Sequence, residues 1–260
     1  MIERISLFCI VLLVFVGCDW NSDNNHHRYA LEATDTYIWT AADFQQLTVQ
    51  SINGDIAAGA VFSSEITVTV TRRVEGPDEA ELEALLDSIT VDTFRTDGHL
   101  TIDADMPDDV GYEYSADFEI LAPPDLTLEL STVNGEVSAN GFSAGWSFST
   151  VNGNVTVEYH NGAVHVQSVN GNLDCDLASL EAQEIASLST VNGNVVLALP
   201  GDVSTNFSAS TTVGTVEILG FDQVTYIDYE KGLKTGSIGT GSAFVDITTV
   251  NGDVTILPRD

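Results

Sequence analysis

From Leu126 onward the chain alternates apolar and polar residues in short runs broken by Asn-Gly. Leu126, Leu128 and Leu130 alternate, as do Val155, Val157 and Tyr159, then Val164 and Val166, then Leu173, Cys175 and Leu177. Alternation with period two predicts strands with one buried face. Asn-Gly tolerates positive φ and predicts a tight turn after each run. His160-Asn161-Gly162 supplies a second turn halfway through a unit. One unit therefore reads strand, turn, strand, turn.

The units are copies of one phrase, seen in Ser149-Thr150-Val151-Asn152-Gly153-Asn154-Val155. Its valine recurs at 133, 151, 169, 191, 213 and 250, at steps of 18, 18, 22, 22 and 37 residues. The last step reads as two units with one copy eroded, the worn stretch being Phe221 to Gly241. Thr211-Thr212-Val213-Gly214 is a degenerate copy without Asn, and Ser51-Ile52-Asn53-Gly54 is an outlying one. A period of about 20 residues signals stacked repeats. Asn-Gly between strands also suits an antiparallel meander. The constant strand-pair unit favours a parallel solenoid instead. Stacking then predicts an internal ladder of Val133, Val151, Val169 and Val191. Outside it runs a turn ladder of Asn134-Gly135, Asn152-Gly153, Asn170-Gly171, Asn192-Gly193 and Asn251-Gly252. Amides stacked about 4.8 Å apart can bond along the stack.

Upstream, Tyr29 to Ile38, Gln46 to Gln50, Glu65 to Arg72 and Tyr112 to Leu121 read as strands. Thr90 to Phe94 and Leu100 to Ala104 read as a hairpin turning at Thr96-Asp97-Gly98. Pro77 and acidic residues open a helix over 77–88, with Leu82, Leu85, Leu86 and Ile89 at helical spacing. Its expected role is to cap one end of the sheet stack, whose open edges invite aggregation. Ala122-Pro123-Pro124-Asp125 marks the internal boundary. The chain divides into an N-terminal β region over 29–125 and solenoid repeats over 126–260, about six coils.

Residues 1–17 have the form of a signal peptide, with Arg4 and an apolar run from Ile5 to Val16. Phe15-Val16-Gly17-Cys18 resembles a bacterial lipobox, which makes Cys18 the lipid attachment site. Several acyl chains give stable membrane anchoring. Residues 18–28 then form a flexible polar tether. The expected location is the cell envelope, periplasmic or surface-exposed. Cys175 is left alone, on the buried side of its strand, as an inert thiol.

Net charge is −31. Phosphate contacts would be repulsive, which excludes nucleic acid as a partner. The same surface suits saline surroundings and attracts divalent cations unspecifically. Outward carboxylates Glu158, Asp174 and Asp176 form a weak cation candidate, with Thr156 beside Asp174 and Glu158 beside Asp176. They are also the carboxylates a polysaccharide-cleaving enzyme would use. The five histidines read as solvated, with no ligand spacing, and no cofactor is expected. Trp146, Phe148, Tyr226 and Tyr229 could form a glycan or protein contact face, though Phe148 also fits the core.

Leu47-Thr48-Val49-Gln50-Ser51-Ile52-Asn53-Gly54-Asp55-Ile56, a short helix, Ala122-Pro123-Pro124 and then the serial Ser-Thr-Val-Asn-Gly units carry a family likeness. Together they resemble a bacterial β-strand-repeat family labelled as adhesins, over roughly 45–260. The resemblance implies a right-handed β-solenoid, export or membrane association, and no established enzymatic activity. The leading expectation is a non-enzymatic, lipid-anchored adhesin or envelope scaffold, with an envelope protein or a glycan as partner. The alternatives are a polysaccharide-active enzyme on a β-helix scaffold and an accessory of envelope-stress signalling.

Overall fold

The structure is a computed structural model that describes residues 10–12 and 28–259. The expected signal segment (save Ile10–Leu12), the lipobox Cys18 and nearly all of the tether lie outside the described residues. Backbone Ile10–Leu12 pairs antiparallel with Tyr29–Thr40.

The described residues are all-β with one α-helix, and their strands form two mixed sheets of 11 strands each. Each repeat gives one strand to either sheet. Trp146–Asn152 and Val155–Asn161 are one such pair, and Val164–Gln167 and Leu173–Ser179 the next. Neighbouring copies pair parallel and in register: Val137, Val155, Leu173, Val195 and Val254 stand one above another. Leu130, Phe148, Val166, Leu188 and Ile247 do the same in the facing sheet. Burying each Val or Leu contributes about 1.5–3 kcal/mol. This removes the antiparallel meander for the repeats.

The valines before Asn-Gly are not the ladder that lines the core. Val133, Val151, Val169, Val191 and Val250 are all 38–40% exposed. Alternation explains it. Leu128 and Leu130 point inward, so Thr132 points inward and Val133 outward. The inward place is held by Thr132, Thr150, Ser168, Thr190 and Thr249, all buried. Parity also fails at Tyr159. A bulge between Val157 and His160 turns Tyr159 outward at φ 52° and puts fully buried His160 in the core.

The copies do not stack in chain order. Ala243–Asn251 lies between Ile185–Ser189 and Thr205–Val213, parallel to both. The last copy in sequence is thus inserted before the one that precedes it. Asn192 stands beside Asn251, while Val213 stands opposite Asn251 in the asparagine place. The copy without asparagine cannot extend an amide ladder, so it suits the terminal level. Phe221 to Gly241 is therefore not a worn coil. Val224–Tyr229 and Leu233–Ile238 form an antiparallel ribbon that pairs with Thr205–Val213 and continues its sheet past the last level.

At the other end, Gln46–Gln50 and Ile56–Ala60 pair with the first repeat, so the copy at Asn53-Gly54 belongs to the stack. One hydrophobic core runs from Trp39 to Ile256 across Pro123 and Pro124. The hairpin of Thr90–Thr96 and His99–Asp105 turns at Asp97 and Gly98, both at positive φ, as expected of a two-residue turn. The helix is shorter than expected, Leu82–Ser88. Asp78 Oδ1 accepts from the Ala80 N–H at 3.0 Å, a local turn that competes with helical bonding. Nor does the helix close the stack. Leu82 and Leu86 pack on Ala33, Val74 and Tyr114, a separate small cluster on the long antiparallel strands.

Candidate functional site

The Asn-Gly corner is the most repeated local structure, and its side chains bond from copy to copy. Asn134 Nδ2 donates to Asn53 Oδ1 at 2.7 Å. Asn152 to Asn134, Asn170 to Asn152, Asn192 to Asn170 and Asn251 to Asn192 repeat that bond at 2.8 Å. Inside, the Thr150 hydroxyl donates to the Gly135 carbonyl, Ser168 to Gly153, Thr190 to Gly171 and Thr249 to Gly193, each at 3.0 Å. Beyond the glycine, Asn154, Asn172 and Asn194 each accept the backbone N–H of the next copy through Oδ1. A buried hydroxyl without a partner costs about 1–3 kcal/mol, so the inner pairings hold the levels in register, and the exposed amide ladder follows the same spacing.

Glycine is needed for space. A Cβ on Gly153 would sit 1.9 Å from the Gly135 carbonyl oxygen, and one on Gly171 would sit 1.7 Å from that of Gly153. Positive φ, the signal read from sequence, occurs at Gly54, Gly214 and Gly252, but not at Gly135, Gly153, Gly171 or Gly193.

The candidate cation residues lie on the outer face of the other sheet. Thr156 stands beside Asp174, as expected. The bulge removes the pairing of Glu158 with Asp176. Glu158 accepts from Asn140 Nδ2 at 2.9 Å, and Asp176 pairs with Arg259 at 3.3 Å while that guanidinium lies over the Tyr159 ring. Partial burial, then the charges of Glu158 and Asp176, hold the Asp174 carboxyl above the usual carboxylate range. Arg259 therefore takes the place a cation would take at Asp176.

Among the histidines, His160 is not solvated. Its ring nitrogens lie 3.2 Å from the Phe142 carbonyl and 3.0 Å from that of Ala163, and burial pushes its pKa down. His99 Nε2 lies 2.8 Å from Thr48 Oγ1, and His165 is exposed. His26 and His27 lie outside the described residues. Cys175 is fully buried, and burial pushes its thiol up, which suits an inert core residue. Trp146 is enclosed by Phe142, Phe148 and His160 and offers no contact face. Tyr229 is exposed and packs its ring against Tyr226.

Sequence reading missed an open cleft of about 560 Å³ beside the long antiparallel strands, lined by Arg73, Glu75, Asp108, Asp109, Tyr112 and Tyr114 among others. Its tyrosines donate to carboxylates, Tyr112 to Glu81 at 2.5 Å and Tyr114 to Asp109 at 3.0 Å. Both phenols are pushed up to about 12, Tyr112 chiefly by that hydrogen bond and Tyr114 chiefly by burial. The residues are scattered over three segments, and no spacing signals them.

No helix among the described residues is long and apolar enough to cross a membrane. No curated protein matches the chain. Among solved structures, a candidate cell adhesion protein from Clostridium sporogenes shares 12% identity at a TM-score of 0.50, over 87% of this chain and 99% of that one. A candidate adhesin from Bacteroides fragilis shares 13% at a TM-score of 0.41, over 86% and 96%. A candidate lipid binding protein from Parabacteroides distasonis shares 9% at 0.31, over 85% and 96%. Identity this low speaks to fold alone. The family described as Toastrack DUF4097 matches residues 32–257, from the first long strand to the last repeat. The repeat corner, the paired sheets and that match agree: the chain belongs to the Toastrack DUF4097 family.

Proposed function

We propose that this protein is a non-enzymatic, lipid-anchored display rod of the cell envelope, an adhesin or scaffold that holds an acidic surface away from the membrane. The observation that carries this reading is the corner ladder. Its amides, hydroxyls and carbonyls bond copy to copy, which stiffens a rod and commits its most repeated side chains to structure. The lipobox ending in Cys18 and the charge of −31 supply the anchor and the acidic face. Parallel crossovers are right-handed in about 98% of cases, which supports a right-handed winding of about six coils after Leu126. Adhesin names among the structural neighbours agree with the role. An envelope protein or a glycan is the partner class, and nucleic acid is excluded by charge.

The test combines Cys18→Ala, or globomycin treatment, with membrane fractionation and an attachment assay. Loss of the protein from the membrane fraction together with loss of attachment supports the reading. Unchanged fractionation contradicts the anchor, and unchanged attachment of a released protein contradicts the display role. The enzymatic alternative predicts turnover of a glycan panel that Asp174→Asn abolishes. The Asp176–Arg259 ion pair argues against it, because it occupies one of the two carboxylates. The signalling alternative predicts a shifted transcript profile on deletion without loss of attachment.

A further inference from the structure

The outward valines form a surface feature that the rod model does not use. Ile52, Val133, Val151, Val169, Val191 and Val250 occupy one position in six successive levels, each more than a third exposed. At about 4.8 Å per level they make a straight apolar ridge about 24 Å long. On one flank stand Gln50, Ser131, Ser149, Gln167, Ser189 and Thr248, on the other the asparagine ladder. Across those three rows no side chain is charged, although the chain carries −31. A contiguous apolar patch of this kind marks an interaction surface.

We infer that the ridge is a lateral docking surface for a second copy of this chain, the two rods lying side by side about a twofold axis. Two arguments select that occupant. A ladder with one valine per level is complementary in period to itself, so a second copy meets it valine for valine over its whole length. Two chains of like charge repel wherever carboxylates face each other, and this band is where two copies can touch with no carboxylate in either row. Rods also have ends, and in one of the two sheets charged side chains near both edges oppose end-to-end stacking. Arg95 lies over Trp39 and Phe44 on one edge strand, and buried Lys234 lies over Tyr229 near the other, so cations point inward at both ends of one sheet. The band is narrower than the roughly 800 Å² per partner of a standard interface. The pairing is accordingly weak in free solution and strengthens where copies are held at high local concentration. This inference goes beyond the display role and does not depend on it.

The experiment is oxidative cross-linking of the otherwise intact protein carrying Val169→Cys, at the middle of the ridge. A matched protein carries His165→Cys, exposed on the strand Val164–Gln167 just before that corner but outside the band. Lateral pairing predicts that the Val169→Cys protein forms disulfide dimers on the order of tenfold faster than the control, through raised effective concentration. Adding Val151→Lys and Val191→Lys, with circular dichroism to verify folding, removes that advantage. Equal rates for the two single cysteines, or a rate indifferent to the lysines, overturns the proposal. Membrane anchoring can fail its own test without touching this one.

Discussion

At the residue scale the corner divides its labour between neighbours that look alike in sequence. Thr150 and Val151 are adjacent and both β-branched, yet the hydroxyl is buried on the Gly135 carbonyl and the valine faces solvent. Thr150→Val is therefore expected to cost about 1–3 kcal/mol, from an inward carbonyl left without its donor. Val151→Ala should stay within about 0.5 kcal/mol. Leu197→Ala, a fully buried side chain, should cost about 2–5 kcal/mol. Urea denaturation checks all three, and a costly Val151→Ala would reinstate the valine as core. Gly153→Ala should prevent normal stacking, since its Cβ meets the Gly135 oxygen. His160 carries a pH prediction. Its pKa is pushed below 6.5 by burial, so below pH 6.5 the unfolded chain takes up a proton that the folded chain refuses. Stability should fall as pH drops from 6.5 toward the folded-state value. In His160→Gln that part of the slope should vanish, read as Tm against pH. For Asp174 the sign is reversed, because its carboxyl is held above the ordinary range. Asp174→Asn should raise Tm at neutral pH, and the gain should fade on acidification. These placements were partly legible. Counting alternation onward from Leu130 gives Thr132 inward, but treating the most constant apolar residue as core hid it. The Tyr159 bulge leaves no mark in the pattern, so His160 was unreadable.

At the element scale, strands were legible and their neighbours were less so. Period-two runs located Thr127–Asn134, Leu173–Ser179 and His99–Asp105 because each has one buried face. The ribbon Val224–Ile238 was misread because Val224–Tyr229 is mostly exposed at the sheet margin, and because the buried face of Leu233–Ile238 is made by Lys234, Gly236 and Ile238, which is not an apolar alternation. It covers the outer edge of Thr205–Val213 and brings Lys234 onto the Val216 carbonyl. Excising Val224–Ile238 should expose that edge and make the protein aggregate on concentration. Light scattering checks this, and an excised protein as soluble as the parent would contradict the covering role. The helix was found by its leucines, but its start was lost to the Asp78 turn, a competition between side chain and backbone that propensity does not show.

At the scale of the whole molecule, a regular period suggests that chain order is spatial order, and here it is not. The corner at Asn251 lies between those at Asn192 and Val213, because an amide ladder can continue only through asparagine. The missing asparagine at Val213 was visible in the sequence and is the one signal that could have placed it. Truncation after Gly241 should therefore detach Thr205–Val213 from the stack as well, leaving it only the short ribbon of Leu233–Ile238 as a partner, too little to hold it folded. Hydrogen exchange should show protection lost at 205–218, whereas sequential stacking would leave it intact. The most direct measurement of the stacked, interleaved architecture is intramolecular disulfide formation in two double variants. Asn192→Cys with Asn251→Cys places the cysteines on adjacent levels and should close a bridge readily, while Asn192→Cys with Val213→Cys spans two levels and should not, since bridged Cα atoms lie about 4.4–6.8 Å apart. A bridge between 192 and 213, with none between 192 and 251, would contradict the account.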